Sequence, residues 1–217
     1  MKHLFIIIIL LLANICNAQT DTTKRKVFSY SVRAGLNISN RLSVDDYHDP
    51  EFSWKHSFNV GVTCDFRKSK HFLGRTGIYY TEKGYNNAEP YPYVTLNYLE
   101  MPLLAVFQQP IGRLVKLEMQ TGMFFAYGVS GYAKRWDYYR TRNADGSWGE
   151  WKEKYYYTPS FKDSEDEKAY FKRFDAGINF GLGVNVWRCY IGGSYDLSLV
   201  YDHRANHCGM VNIGYTF

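Results

Sequence analysis

Three features of the 217-residue sequence predict an all-β fold, an eight-stranded antiparallel up-and-down transmembrane β-barrel. Apolar and polar residues alternate with period two in eight separate segments, as they do in strands whose two faces meet different surroundings. The connections between these segments are alternately short and long, which is typical of a barrel with all its long loops at one end. Most glycines within the segments fall on the polar face.

The eight predicted strands follow one another along the whole chain. They span Phe28–Ser39, Phe58–Arg67, Phe72–Lys83, Leu99–Phe107, Lys116–Ser130, Arg173–Val186, Arg188–Leu197 and Val211–Phe217. The first two alternate regularly, whereas the third has Thr76 on its apolar side and the fourth has Pro102 near its middle. The fifth is the longest, the sixth alternates most cleanly, and the last two are shorter. Most reach the 9–11 residues with which a tilted strand spans a bilayer.

The connections complete the meander. Short ones lie near 68–70, 110–113 and 187, and long ones run about 40–57, 85–93, 132–170 and 200–207. In lipid every backbone N–H and C=O group must find its partner within the protein, so a spanning sheet has to close. We therefore expect the first and last strands to pair.

Composition excludes two other classes of protein. The mean hydropathy is −0.38, and after the N-terminal segment the longest charge-free run, Met119–Ala133, has 15 residues. A spanning helix needs about 20 apolar residues, so a bundle of membrane helices is excluded. The formal net charge of +5 is small and evenly distributed, which does not suit a dedicated nucleic-acid binder.

The N-terminus predicts a secretory signal peptide over residues 1–18. Lys2 and His3 precede an apolar run, and small and polar residues follow it up to Ala18. Cleavage there leaves one barrel domain, residues 19–217, with three cysteines, too few for a disulfide-stapled secreted domain. Cys64 and Cys189 fall on the second and seventh strands, which are not neighbours, so we do not expect them to pair.

The polar face is predicted to line the lumen. Glycine weakens a strand that faces open solvent, but it suits the interior of an eight-stranded barrel, which has little room for side chains. The charged residues on this face have both signs and are expected to pair, because an unpaired buried charge is costly. The lumen candidates are Arg33, Asp65, Arg75, Glu100, Glu118, Asp175 and Asp196.

Several short motifs together resemble bacterial outer-membrane β-barrel domains of the PorT-like, porin-family type. The motifs are VRAGLNISN at 32–40, YYTEKG at 79–84, YLEMPLL at 98–104, FDAG at 174–177 with GLG at 181–183, and GYTF at 214–217. The resemblance covers nearly the whole mature chain and implies a place in the outer membrane of a Gram-negative (diderm) bacterium. Both chain ends would then face the periplasm, and outer-membrane lipid and lipopolysaccharide would surround the barrel.

The same resemblance implies a role for the C-terminus. The ending that contains Tyr215 and Phe217 resembles the signal by which the barrel-assembly machinery recognises barrels for insertion. The resemblance says little about function, because one fold carries many functions and this family is functionally mixed. The long third loop is the largest departure from a minimal member.

This loop, at about 132–170, carries the main binding candidates. Its aromatic residues include Trp136, Tyr138, Tyr139, Trp148, Trp151 and Tyr156. Asn143–Gly146 is a turn signal, so we expect the fifth and sixth strands to continue as a hairpin around it. Exposed aromatic clusters mark interaction sites, here for an extracellular glycan or protein. The alternative interpretation is a hairpin steadied by cross-strand aromatic pairs, together with an interfacial girdle.

Other polar clusters give weaker signals. An acidic run covers 163–167, and closure brings the first and fourth loops together with Asp45, Asp46, His48, Asp49, Glu51, His203, His207 and Cys208. Their spacing fits no standard metal pattern, so no metal and no cofactor is expected. An enzyme would need a nucleophile beside a base, and no motif joins Ser43 or Ser198 to a histidine. The sequence therefore predicts a non-enzymatic protein, with a small porin and a soluble lipocalin-like carrier of an apolar ligand as alternatives.

Overall fold

The computed structural model describes residues 27–42, 53–88, 91–142, 148–161, 171–200 and 205–217. The predicted signal peptide, the acidic run and the tip of the long loop lie outside these residues. Nine strands are present in the described part: β1 (Phe28–Leu42), β2 (Lys55–Arg67), β3 (Phe72–Ala88), β4 (Tyr91–Pro110), β5 (Val115–Tyr139), β6 (Lys152–Pro159), β7 (Phe174–Val186), β8 (Cys189–Ser198) and β9 (Ala205–Thr216).

Eight of these strands form a closed antiparallel barrel, as the sequence predicts. Each strand pairs with the next, except that β7 pairs with β5, and β1 pairs with β9 to close the sheet. The remaining strand, β6, pairs only with the last eight residues of β5, beyond the point where β5 leaves β7. The β5–β6 pair is therefore a hairpin that rises from the barrel wall, and we call it the loop hairpin.

The two ends of the barrel differ in the length of their connections. One end, which we call the turn end, holds the start of β1, the C-terminus and the turns β2–β3, β4–β5 and β7–β8. The β7–β8 turn has two residues, and Trp187 adopts a positive φ of 55° in it. The five remaining connections join strand ends on the opposite side, called the loop end.

Several strands extend further toward the loop end than predicted. β2 begins at Lys55, β4 at Tyr91 and β9 at Ala205, and the predicted long loop over 85–93 is wrong because β3 continues to Ala88. The residues added to the strands are mostly polar and aromatic. Beyond the apolar band the backbone ladder continues without the strict alternation that the bilayer imposes, so periodicity does not reveal these extensions. The loop hairpin also differs from the prediction, since its second strand is β6 and not a continuation of β7.

The barrel has apolar residues outside and polar residues inside. Large apolar side chains such as Leu36, which is 70% exposed, cover the outer surface. A Cβ added to the inward Gly122 or Gly177 would lie 2.1 Å from a backbone carbonyl oxygen of the adjacent strand, whereas one on the outward Gly74 would meet nothing within 4 Å. This is the distribution of a membrane barrel and the reverse of a soluble carrier. In the described residues no helix is long and apolar enough to cross a membrane.

Candidate functional site

The half of the lumen nearer the turn end contains an ion cluster centred on Arg75. Its guanidinium donates to Asp65 from Nε at 2.7 Å and from Nη2 at 2.9 Å. It also bonds to both carboxylate oxygens of Glu118 on β5 and, at 3.1 Å, to Gln120. Arg33 on β1 reaches Glu118 at 3.5 Å. The two arginine contacts with Glu118 join strands that are not neighbours, so they cross the interior of the barrel, whereas Arg75 and Asp65 are paired on adjacent strands.

Neutral groups complete the surroundings of this cluster. Glu118 accepts hydrogen bonds from Gln108 at 3.0 Å and Asn185 at 2.9 Å. The Arg33 guanidinium stacks over the ring of Tyr190 at 3.7 Å. Two arginines therefore face two carboxylates, and Glu118 is only 2% exposed. Removing one partner from such a pair leaves a buried charge uncompensated, which makes the cluster sensitive to substitution.

A second cluster, centred on Lys83, lies closer to the loop end. Its ammonium donates to Glu100 at 2.7 Å and to Asp196, across the lumen on β8, at 2.8 Å. Asn179 donates to the other oxygen of Asp196 at 2.6 Å. Asp175, one strand away from Asp196, accepts a hydrogen bond from Ser198. The middle of the lumen is thus filled by polar side chains, with the Lys83 ammonium between the carboxyl groups of Glu100 and Asp196.

The space between the charged groups is small. A cavity of about 30 Å³ is lined by Arg33, Asn59, Arg75, Glu100, Asn179 and Asn212, among others. That volume is large enough to hold a water molecule. Arg33 Nε, Asn59 Oδ1 and Asn212 Oδ1 are buried there without a described protein partner, so the cavity is polar enough for water. It is far too small to be a pathway for solutes.

The loop end of the lumen is closed by an apolar cluster. Phe161, just after β6, is buried and packs edge-on against Tyr98 with ring centroids 5.5 Å apart. Phe171, from the segment that leads into β7, belongs to the same cluster. A Cβ on Gly128 would lie 2.5 Å from the Phe161 ring, so this glycine makes room for the phenyl group. The chain that returns from the loop hairpin therefore plugs the barrel mouth.

The loop hairpin displays an aromatic surface outside the barrel. Trp148 and Trp151 are 60% and 62% exposed, and Tyr138, Tyr139 and Tyr156 are also exposed. Basic side chains lie against these rings. The guanidinium carbon of Arg140 is 4.3 Å from the centroid of the Trp151 ring and 5.2 Å from that of the Trp148 ring. Trp136 lies opposite Tyr155 in the register of the hairpin. Because side chains alternate along each strand, Tyr138 and Tyr155 project from one face of the hairpin, and Tyr139 and Tyr156 from the other.

A local hydrogen bond in the loop hairpin affects the pKa of one exposed tyrosine, Tyr155. The Tyr155 hydroxyl donates to Glu153 at 2.7 Å. This bond and the negative charge of Glu153 favour the neutral phenol, so they raise the pKa of Tyr155 above its ordinary value. Both side chains lie in the exposed hairpin.

The structure places all seven lumen candidates in the interior, each less than a tenth exposed. The sequence analysis missed the two lysines that complete the interior charge pattern. Lys83 is an even number of residues from Arg75 on the same strand, so both side chains face the lumen. This spacing was the signal available in the sequence. Lys55 precedes the predicted start of its strand, donates to Thr95 at 2.6 Å and pairs with Glu82 at 2.9 Å. The plug residue Phe161 carries no signal in the sequence.

The other polar candidates do not converge. Of the first- and fourth-loop residues only His207 and Cys208 are described, and they project from opposite faces of β9, Cys208 into the lumen. Among the described residues no group of three or more His, Cys, Asp or Glu side chains is arranged to hold a metal ion. Ser198 bonds to Asp175 in the lumen. Cys64 on β2 and Cys189 on β8 lie on strands that are not neighbours, and both thiols are free.

The C-terminal residues lie at the turn end. The rings of Tyr215 and Phe217 are in edge contact, with centroids 5.4 Å apart, and the Phe217 N–H donates to the carbonyl of Tyr30 at 2.9 Å. Arg188 donates to the Tyr215 hydroxyl at 3.3 Å. The terminus is thus held against the first strand and the last turn.

Comparison with solved structures gives several matches that cover most of this chain. Ail of Yersinia pestis has 16% sequence identity and a TM-score of 0.43, with 87% of this chain and 98% of that chain covered. Neisserial surface protein A has 11% identity and a TM-score of 0.42, with coverages of 87% and 97%. The N-terminal barrel domain of Pseudomonas aeruginosa OprF has 9% identity and a TM-score of 0.36, with coverages of 86% and 97%. At these TM-scores the likenesses do not bear on the role of the chain.

The comparison of sequences is more specific. No match was found among proteins with curated annotation. The family model described as an outer membrane protein beta-barrel domain matches residues 17–201, which is most of the chain. The family and the arrangement of the barrel, apolar outside and polar inside, place the chain in a Gram-negative outer membrane. The chain belongs to the outer membrane protein beta-barrel domain family.

Proposed function

We propose that this protein is a non-enzymatic envelope protein whose loop hairpin binds an extracellular glycan or protein ligand. The observation that carries the proposal is the set of exposed aromatic rings, stacked with arginine and lysine, on a paired β-ribbon outside the barrel. Trp, Tyr and Arg are the residue types that dominate binding energy at interfaces. Here they occur together on an element that contributes no side chain to the ion clusters of the barrel.

The geometry of the hairpin favours a binding role over a purely structural one. Eight residue pairs from Tyr132–Pro159 to Tyr139–Lys152 hold the two strands in register, so the rings are displayed on an ordered scaffold. The Nζ atom of Lys134 lies 3.9 Å from the ring centroid of Tyr155, and the Nζ atom of Lys154 lies 5.0 Å from that of Tyr156. Such stacking restricts the long cationic side chains before a ligand arrives, which reduces the entropy lost on binding. Flat rings beside cations suit sugar rings or acidic groups on a partner.

The filled lumen counts against the alternative role of a small porin. Ion clusters cross the interior at two levels, and the apolar cluster around Phe161 covers them at the loop end. Eight-stranded barrels have interiors just wide enough for side chains to fill. We therefore expect no stepwise conductance when the purified protein is inserted into planar lipid bilayers at neutral pH.

The binding role is tested by removing the hairpin without touching the barrel. Lys134 and Tyr157 are directly opposed, so an Asn-Gly turn can replace residues 135–156 and still leave the Phe161 plug in place. Wild type and variant are reconstituted in nanodiscs and applied to glycan and extracellular-protein arrays. We expect the variant to lose the signals that wild type gives and to keep heat-modifiable mobility on SDS gels. Equal binding by both would contradict the proposal.

Point variants locate the contact. Trp148→Ala and Trp151→Ala are each expected to weaken binding by about tenfold or more, since buried interface aromatics are typical hot spots. Trp54→Ala is the matched control, because Trp54 is also an exposed loop-end tryptophan but lies outside the hairpin. An equal loss in all three variants would argue for a nonspecific effect of surface aromatics.

A further inference from the structure

The outer wall of the barrel has an open groove near the turn end. It runs from Phe28 on β1 over β2 and β3 to β4 and has a volume of about 610 Å³, which is within the range of small-molecule sites. Small residues, Gly74, Thr76 and Ala105, line it at the centre, and Phe66 and Phe72 stand at its edges. The phenylalanine side chains are about half exposed. The groove is therefore an apolar depression in the surface that faces the membrane lipid.

The depression is caused by the residue types at three paired positions. Gly74 is opposite Phe66 on one side and Ala105 on the other. A Cβ on Gly74 would meet no atom within 4 Å, so this glycine is not required by crowding, unlike the inward ones. A second outward glycine, Gly209, differs, because the ring of Tyr195 leans to within 3.9 Å of its Cβ position. Gly74 leaves uncovered space where a bulky side chain would fit.

A cation lies at the turn-end edge of the same groove. Lys68, in the β2–β3 turn, is exposed and lines the groove. No ion pair within the described residues involves it, and the turn Lys68–His71 contains no acidic residue. Gly74 is two residues beyond the start of β3, about 7 Å along the strand. The Lys68 N–H donates to the Phe72 carbonyl at 3.2 Å, so the Lys68 backbone lies about one headgroup length from the apolar floor.

We propose that this groove binds one phospholipid molecule, with an acyl chain lying over Gly74 and the phosphate contacting Lys68. Transmembrane barrels place their short turns on the periplasmic side, so the groove opens to the phospholipid leaflet. The acyl chain covers apolar surface that bulk lipid fits poorly, and the phosphate supplies the anion that Lys68 lacks. This site is independent of the loop hairpin and of its ligand.

Native mass spectrometry of the detergent-solubilised protein with added phosphatidylglycerol tests the proposal. We expect one lipid adduct on wild type that survives at collision energies where other adducts dissociate. Gly74→Leu fills the groove and should lower the occupancy of this adduct about tenfold. Gly193→Leu is the matched control, because Gly193 also faces outward and its Cβ position is 3.6 Å from the nearest atom. Lys68→Gln provides a second test that leaves the strand untouched and should weaken the adduct several-fold.

Every result of this experiment either supports the phospholipid site or overturns it. Retained adducts in Gly74→Leu, no preferential adduct on wild type, or equal losses in Gly193→Leu would overturn the proposal. A protein dimer that Gly74→Leu dissociates would assign the groove to a second copy of the chain instead. Heat-modifiable mobility on SDS gels verifies that each variant forms the barrel before its adducts are compared.

Discussion

Arg75→Met is expected to be the most destabilising conservative change in the lumen. Both hydrogen bonds described for the Asp65 side chain come from Arg75, so the substitution leaves this buried carboxylate without its partner. Glu118 is less affected, because Arg33, Gln108 and Asn185 still contact it. Breaking one side of a buried ion pair costs about 3–5 kcal/mol. We expect the free energy of unfolding to fall by about that amount.

A double-mutant cycle separates the ion pair from simple loss of packing. Adding Asp65→Asn to Arg75→Met removes the orphaned charge and should restore about half or more of the lost stability. The assay is reversible urea unfolding in detergent micelles, followed by tryptophan fluorescence. Arg188→Met is the matched control, since its exposed guanidinium donates to the Tyr215 hydroxyl and lies 5.2 Å from the centroid of the exposed Trp187 ring, and it should cost about 1 kcal/mol or less. A loss below about 1 kcal/mol for Arg75→Met, or strictly additive effects of the two substitutions, would refute the reasoning.

Three further predictions concern other parts of the structure. Gly122→Ala puts a Cβ 2.1 Å from a carbonyl oxygen of the adjacent strand and should cost about 1–3 kcal/mol in urea unfolding, whereas Gly193→Ala should change little. Phe161→Ala should speed hydrogen exchange at 160–161 and 171–173 without affecting the barrel strands, because it removes the plug ring and leaves the strand ladder intact. Glu153→Gln should lower the pKa of Tyr155 toward its ordinary value, because it removes the negative charge that opposes ionisation of the phenol. Tyr155 should then deprotonate at a lower pH. Carbon NMR of labelled tyrosine measures this pKa, and an unchanged titration would contradict the prediction.

Periodicity was sufficient for the barrel core but not for its loop end. The segments that contain Phe58–Arg67 and Arg173–Val186 alternate because one face meets lipid and the other meets a narrow interior, and both became strands. Residues 85–88 and 91–98 do not continue the apolar-outward pattern of the band. The structure pairs them in the β3–β4 ladder and buries four of their apolar side chains in the cluster at the loop end: Tyr85, Val94, Leu96 and Tyr98. The separate strand β6 could not be distinguished from an extension of β7 for the same reason.

The candidate binding surface was predictable in composition but not in arrangement. Exposed aromatics in the long loop and their turn signal are visible in the sequence. Which arginine stacks on which ring depends on the register of β5 with β6, and only the paired backbone defines it. The plug shows the same limit, because Phe161 is one aromatic among many until the chain folds back over Gly128.

The sequence by itself determined the class of fold, the closure of the sheet and the inward direction of the charged and glycine positions. Strand alternation has period two, and a bilayer accepts only one assignment of its two faces, so these conclusions need no coordinates. Only the tertiary structure decided that Arg75 joins Asp65 to Glu118, that Lys83 spans to Asp196, and that a groove opens at Gly74. Such contacts depend on strand stagger and on distances across the lumen, and a linear pattern contains neither.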